Sequence, residues 1–74
     1  MKYYRDEEFL KLFGKRLKQV RKNQKVTQEE LSFRTGFELS QIGRIERGTI
    51  NTSLSHISAI ANALKVRPID LFDF

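Results

Sequence analysis

The side chains best suited to molecular recognition lie in one segment, Thr27–Gly48, which reads TQEELSFRTGFELSQIGRIERG. Ile42 and Ile45 recur at helical spacing, which leaves the hydroxyl of Ser40 and the guanidinium of Arg44 on a different face of the same helix. Hydroxyl and guanidinium groups form directed hydrogen bonds with a bound partner. This short, polar and partly basic face therefore predicts a binding surface.

Catalytic and metal-binding patterns do not accompany this surface. His56 is the single histidine, cysteine is absent, and the serines at positions 53, 55 and 58 match no nucleophile motif. The carboxylates are scattered, and neither a glycine-rich phosphate loop nor a metal-ligand spacing occurs. We therefore expect a protein that is not an enzyme and that uses no metal and no cofactor.

Two short helices joined by a tight turn position the polar face. Thr27 and Glu30 form a capping box, which marks the start of the first of these helices. Gly36 can adopt the positive φ that a sharp turn between helices requires. The pattern predicts helices over about residues 28–35 and 39–47, the outline of a helix-turn-helix.

Three further helices are predicted, over about residues 6–24, 54–64 and 68–72. The helix over residues 6–24 has an apolar stripe of Phe9, Phe13, Leu17 and Val20. The helix over residues 54–64 has an apolar stripe of Leu54, Ile57, Ile60, Ala61 and Leu64. Gly14 interrupts the first helix at a cost of about 1 kcal/mol relative to alanine. No segment favours a strand, so we expect an all-α, compact five-helix fold. We expect residues 1–74 to form one domain, with residues 1–5 as a loosely held lead-in.

The chain is basic, with 14 Lys and Arg against 9 Asp and Glu, a net charge of +5 and a pI near 9.9. This balance favours a polyanionic partner, although charges of about 2–8 are also ordinary on small soluble domains. No apolar run approaches the roughly 20 residues that span a bilayer, and no signal-peptide pattern is present. We therefore expect a cytoplasmic protein without a membrane segment.

Arg21 directly follows Val20, beside the apolar stripe of the first helix. A buried guanidinium without a partner is strongly destabilising, so a buried Arg21 needs a carboxylate. Glu46, at the end of the third helix, is the candidate partner.

The segment Thr27–Gly48 resembles the helix-turn-helix of the Cro and lambda-repressor-like regulators, also called the xenobiotic-response-element family. The resemblance extends over about residues 9–72. It depends on a set of spaced features: Gln28 opening the second helix, small Ser32, Gly36 at the turn, inward Ile42 and Ile45, and the ending RIERG. It implies a five-helix domain that binds operator DNA as a two-fold symmetric homodimer, with the third helix in the major groove. It also implies a structural ion pair between Arg21 and Glu46.

By position, the resemblance implies base contacts from Leu39, Ser40, Gly43 and Arg44. Arg44 has the most specific chemistry, because a guanidinium can bridge O6 and N7 of guanine, and a phosphate contact is its alternative role. Leu39 stands where the family often has a polar residue, and it either meets a thymine methyl or packs at the core edge. Gly43 would permit close approach to a base. Glu38 replaces the usual Ser or Thr cap, and either caps the helix or binds a cytosine amino group.

Phosphate contacts are implied at the motif's borders, by Thr27, Gln28, Arg47 and Asn51, and Lys25 is a further candidate because it immediately precedes the motif.

The C-terminal residues Ile69, Phe72 and Phe74 are unusually apolar for a chain terminus. They either close the domain's own core or, as the resemblance favours, form homodimer contacts. Both roles are compatible, with Ile69 and Phe72 facing partly inward.

The sequence thus predicts a small transcriptional regulator, of repressor or controller type, that binds double-stranded DNA in a sequence-specific manner. One alternative is an antitoxin-type module whose main partner is a protein, such as a toxin or a co-regulator. A weaker alternative is a protein that binds RNA or nucleic acid in general.

Overall fold

The computed structural model describes residues 4–74. Four α-helices, α1 (Glu7–Asn23), α2 (Gln28–Thr35), α3 (Leu39–Arg47) and α4 (Leu54–Ala63), are followed by a 3-10 helix at Pro68–Phe72. No strand occurs among these residues, so the all-α fold is confirmed. The predicted fifth helix is a 3-10 helix because its five residues form only the tight i→i+3 turns that such short segments favour.

Side-chain caps set the starts of three helices. Asp6, Thr27 and Ser53 each accept a hydrogen bond from the backbone N–H three residues later, at 3.0–3.1 Å. Glu38 is the N-cap residue of α3, as predicted, but its carboxylate makes no capping hydrogen bond, so only its position is confirmed. α2 ends at Gly36, whose φ of 78° is the left-handed conformation anticipated for the turn.

The core lies among all five helices: α1 packs on α3 and on the 3-10 helix, α2 packs on α3 and α4, and α4 packs on the 3-10 helix. Its fully buried side chains are those of Leu17, Leu31, Ile42, Ile45, Ile60, Leu64 and Leu71. Two residues of the predicted apolar stripes lie outside it, because both are in the first turns of their helices: Phe9 is 43% exposed and Leu54 is 83% exposed. The remaining members of both stripes are buried.

α1 and the C-terminal end of α3 are in direct backbone contact. A Cβ atom added to Gly14 would collide with the carbonyl oxygens of Ile45 and Glu46. A Cβ atom on Gly48 would lie 2.6 Å from Cα of Lys11. Gly14 is therefore the residue that lets the two helices approach so closely, and the expected role of Gly14 as a mere tolerated interruption is wrong.

The start of the chain is attached to the α3–α4 loop through Arg5. The guanidinium of Arg5 donates to the carbonyl oxygen of Thr49 at 2.8 Å and to the carboxylate of Glu7 at 2.8 Å. The predicted lead-in thus has an anchor at Arg5, while residues 1–3 lie outside the described part of the chain.

Candidate nucleic-acid interface

α3 has one buried face and one exposed face. Ile42 and Ile45 are 0% and 2% exposed, and Glu46 is also buried. Ser40 and Arg44 are exposed on the opposite side, as the helical spacing predicted. The helix is thus anchored by one set of side chains while another set remains available to a partner.

The remaining predicted reading residues, Leu39 and Gly43, differ in exposure. Leu39 is 43% exposed and does not belong to the core cluster, so its side chain is available at the surface. Gly43 is buried, because the side chain of Arg47 lies over it.

The guanidinium groups of the two arginines of α3 differ from those of the other arginines of residues 4–74 in having no protein partner. The other five are bound by carboxylate, carbonyl or amide oxygens: Arg5, Arg16, Arg21, Arg34 and Arg67. The guanidiniums of Arg44 and Arg47 make no hydrogen bond or ion pair with any described residue. Each therefore retains five N–H donors for an external acceptor.

Arg21 and Glu46, predicted to pair, are brought together by the packing of α1 against α3. Nε of Arg21 donates to Oε2 of Glu46 at 2.6 Å, and Nη2 donates to Oε1 at 2.9 Å. Nη1 donates to the carbonyl oxygen of Val26 at 2.8 Å. The hydrogen bonds to Glu46 raise the pKa of Arg21, against the opposing effect of burial, so the guanidinium stays charged.

The half-buried Gln28 is bound to the same ion pair. Its side-chain Nε2 donates to Oε1 of Glu46 at 2.9 Å, which joins the first residue of α2 to α1 and α3. The side-chain amide nitrogen therefore faces inward, and sequence reasoning missed this role. The only available signal was the polarity of Gln28, since 18 positions separate it from Glu46.

The other predicted phosphate-contacting residues lie near the two ends of the motif. Lys25 is exposed in the α1–α2 connection and has a left-handed φ of 58°. Thr27 is exposed, and its hydroxyl oxygen accepts from the N–H of Glu30 at 3.0 Å. Asn51 is exposed in the α3–α4 loop.

The C-terminal apolar residues divide into two groups. The ring of Phe72 packs on those of Phe13 and Phe9, with centroids 5.0 and 6.1 Å apart, and Leu71 is fully buried. Ile69 is 65% exposed and Phe74 is 51% exposed. The expectation that Ile69 faces partly inward is therefore wrong, because the 3-10 helix turns Leu71 toward the core and Ile69 outward.

Other kinds of site have little support in residues 4–74. His56 packs against the ring of Phe37, with centroids 4.4 Å apart, and its Nδ1 lies 2.5 Å from the hydroxyl of Ser53. In this part of the chain no group of His, Asp and Glu side chains could hold a metal ion. None of its helices is both long and apolar enough to cross a membrane.

Known proteins of similar sequence are regulators. The chain is 44% identical over 64 residues to the control protein C.BamHI of Bacillus amyloliquefaciens. The matched segment covers 85% of this chain and 79% of that protein. It is 39% identical over 54 residues to the immunity repressor protein of Bacillus phage phi105, over 73% of this chain and 38% of the repressor.

A solved structure agrees in both fold and sequence. The restriction-modification controller protein C.AhdI of Aeromonas hydrophila superimposes with a TM-score of 0.83 and 41% sequence identity, over 85% of this chain and 96% of C.AhdI. A family model described as helix-turn-helix matches residues 17–71. The chain therefore belongs to the Cro/C1-type helix-turn-helix family.

Proposed function

We propose that this protein binds a specific double-stranded DNA sequence and regulates transcription, with α3 reading the major groove. The observation that carries the proposal is the pair of unpartnered arginines, Arg44 and Arg47, on the exposed face of a helix whose other face is anchored in the core. A net charge of +5 supports attraction to DNA. The similarity to a control protein and an immunity repressor supports the regulatory role.

The reading residues of the proposal are Leu39, Ser40, Gly43 and Arg44. Arg44 donates two hydrogen bonds to O6 and N7 of a guanine, the most discriminating contact available to this set. The exposed Leu39 contacts a thymine methyl group, and Ser40 adds a weaker hydrogen bond. Gly43 has no side chain and lies beneath the side chain of Arg47, so it takes part in the reading surface only through the space that it leaves.

Phosphate contacts come from Lys25, Thr27 and Asn51 in the proposal, while the guanidinium of Arg47, which has no partner among the described residues, is a donor for either a phosphate or a base edge. Gln28 contributes through its backbone N–H, because its side-chain amide is bound to Glu46 and the first N–H groups of a helix have no partner within it. These contacts set the position and the affinity of the domain on DNA more than its choice of sequence.

The proposed assembly is a cytoplasmic homodimer that binds two half-sites about 34 Å apart. The exposed Ile69 and Phe74, next to the inward Phe72, supply the apolar surface for this contact. Light scattering on Ile69→Ser with Phe74→Ser should report a monomer where the unaltered chain is a dimer. A dimer that survives both changes would place the contact elsewhere.

The test of the function is selection of bound sites from random duplex DNA. We expect one enriched palindrome, whose preference over competitor DNA persists while total affinity falls steeply with salt. A general nucleic-acid binder would enrich no sequence and would lose binding to all sequences at high salt. An antitoxin-type module, which the similar regulators do not favour, would keep its activity after Arg44→Ala.

A further inference from the structure

The outer face of α3 contains one glycine, and an arginine lies across it. Gly43 and Arg47 are one helical turn apart, on the same side of the helix. A Cβ atom added to Gly43 would lie 3.0 Å from Nη1 of Arg47, 3.8 Å from Cζ and 3.9 Å from Nη2. All three are guanidinium atoms, so it is the charged end of Arg47 that covers Gly43.

The direction of helical side chains explains this arrangement. A long side chain leans toward the N-terminus of its helix and covers the turn before its own Cα. Arg47 is the last residue of α3, so its Cα lies where the helix leaves the proposed reading surface. Its guanidinium nevertheless lies one turn further back, beside Gly43, because no side chain there excludes it.

Nothing in the described chain holds the guanidinium of Arg47 in a structural role. Neither a carboxylate nor a carbonyl oxygen of residues 4–74 accepts from it, in contrast to Arg21 and Arg34. Three residues before it, Arg44 is equally unpartnered. Two free guanidiniums thus lie along one side of the helix, each with the paired N–H donors that match O6 and N7 of guanine.

We propose that Arg47 is a specificity-determining residue which contacts a guanine edge from the position above Gly43, in addition to the guanine contacted by Arg44. This inference depends on the proposed function, since it concerns the same DNA-binding helix. It changes the role of Gly43 as well: the glycine makes room for an arginine side chain from the next turn. The half-site then contains two guanines read by two arginines.

A base contact and a phosphate contact have different signatures in binding experiments. Loss of a guanidinium–guanine contact weakens binding to the preferred base at one position by about 5- to 150-fold and relaxes the choice of base there. Loss of a phosphate contact weakens binding to all sequences alike and lowers the slope of log K against log salt by about 1.

The experiment compares the full chain with Arg47→Ala, Arg47→Lys and Gly43→Ala in site selection and in titrations of single-base variants of the selected site. We expect Arg47→Ala to lose the guanine preference at one position of each half-site. Arg47→Lys keeps the charge but not the paired donors, so it should lose much of the same preference. Gly43→Ala should weaken the preference at that position too, because the new Cβ would lie 3.0 Å from Nη1 of Arg47 and the guanidinium must shift to make room.

The double variant Gly43→Ala with Arg47→Ala should lose no more of the guanine preference than Arg47→Ala alone. Each change removes the same contact between the guanidinium and the guanine, so their effects should not add. Arg44→Ala is the matched control, and it should relax a different position. Circular dichroism should show that all variants remain folded, because both arginines are exposed.

The inference is overturned if Arg47→Ala lowers affinity equally for every base at every position, or if Gly43→Ala and Arg47→Ala affect different positions. If the unaltered chain selects no site at all, the proposed function fails and this inference fails with it. A selected palindrome together with a uniform effect of Arg47→Ala would overturn the inference alone.

Discussion

Arg21 and Arg44 carry the same chemical group in two different surroundings. Arg21 is buried, and three of its nitrogens are bound by Glu46 and by the carbonyl oxygen of Val26. Arg44 is exposed, and no described residue accepts a hydrogen bond from its guanidinium. A guanidinium removed from water must be fully bonded within the protein, whereas one left in water can exchange its hydration for a ligand.

The same contrast separates the two faces of α3. Ile42, Ile45 and Glu46 attach the helix to the domain, and their loss should affect folding. Ser40 and Arg44 contribute little to the core, and their loss should affect binding alone. The following changes test this division, from the largest expected effect to the smallest.

Replacing Glu46 with alanine should lower the free energy of unfolding by about 3–5 kcal/mol, because it leaves Arg21 charged and buried without its main partner. Urea unfolding and the melting temperature measure this effect. Arg21→Met with Glu46→Leu should recover part of the loss, since an apolar pair requires no ionic partner, while Gln28 Nε2 and the carbonyl oxygen of Val26 lose theirs. An unchanged melting temperature in Glu46→Ala would show that the pair contributes nothing.

Replacing Gly14 with alanine should destabilise the fold by about 1–3 kcal/mol, although alanine favours helix by about 1 kcal/mol over glycine. The new Cβ meets backbone carbonyls of α3, which cannot move aside without separating the helices. Thermal unfolding tests this expectation.

Gly43→Ala is the matched control for Gly14→Ala, since both glycines lie inside helices. At Gly43 the neighbouring atoms belong to the flexible end of Arg47, so stability should stay equal or rise by up to about 1 kcal/mol. Equal destabilisation by both variants would contradict the close backbone contact at Gly14.

Replacing Arg44 with alanine should weaken binding to the selected site by about 1–3 kcal/mol and relax one base position. Its effect on unfolding should be within about 0.5 kcal/mol, because the side chain is exposed and unpartnered. Fluorescence anisotropy with single-base variants of the site, beside urea unfolding, separates the two effects. A large loss of stability would place Arg44 on the anchoring side of α3.

Replacing Glu30 with alanine should change the free energy of unfolding by no more than about 0.5 kcal/mol. Glu30 pairs with Arg34 at 3.3 Å, but both side chains are more than a third exposed, and Arg34 keeps its bond to the carbonyl oxygen of Ala63. Urea unfolding of Glu30→Ala and Glu46→Ala under the same conditions shows how strongly burial determines the contribution of an ion pair to the free energy of unfolding. Similar losses in the two variants would refute that dependence.

The pH dependence of the Arg21 contribution has a definite sign. The pKa of Arg21 is raised by its hydrogen bonds to Glu46, so its stabilising effect is present below the unfolded pKa and is lost only as pH rises through the folded value. Both pKa values lie far above neutrality, since a guanidinium stays protonated in proteins. Arg21 itself therefore gives no pH dependence of stability near neutral pH.

The sequence alone determined the features that depend on short-range signals. Capping residues and helical periodicity predicted the bounds of α2 and α3 and the separation of Ile42 from Arg44, since these depend on neighbours within a turn or two. The cost of a buried charge also pointed to Glu46 as the partner of Arg21. These inferences need only the chain's order and the chemistry of its side chains.

Only the tertiary structure decided the contacts and the orientation of the remaining residues. The close contact at Gly14, the inward amide of Gln28 and the outward Ile69 all depend on how distant segments dock. The position of the Arg47 guanidinium over Gly43 depends on a side-chain conformation that spacing does not specify. Spacing identifies residues that share a face, but only the packed structure shows which atoms meet there.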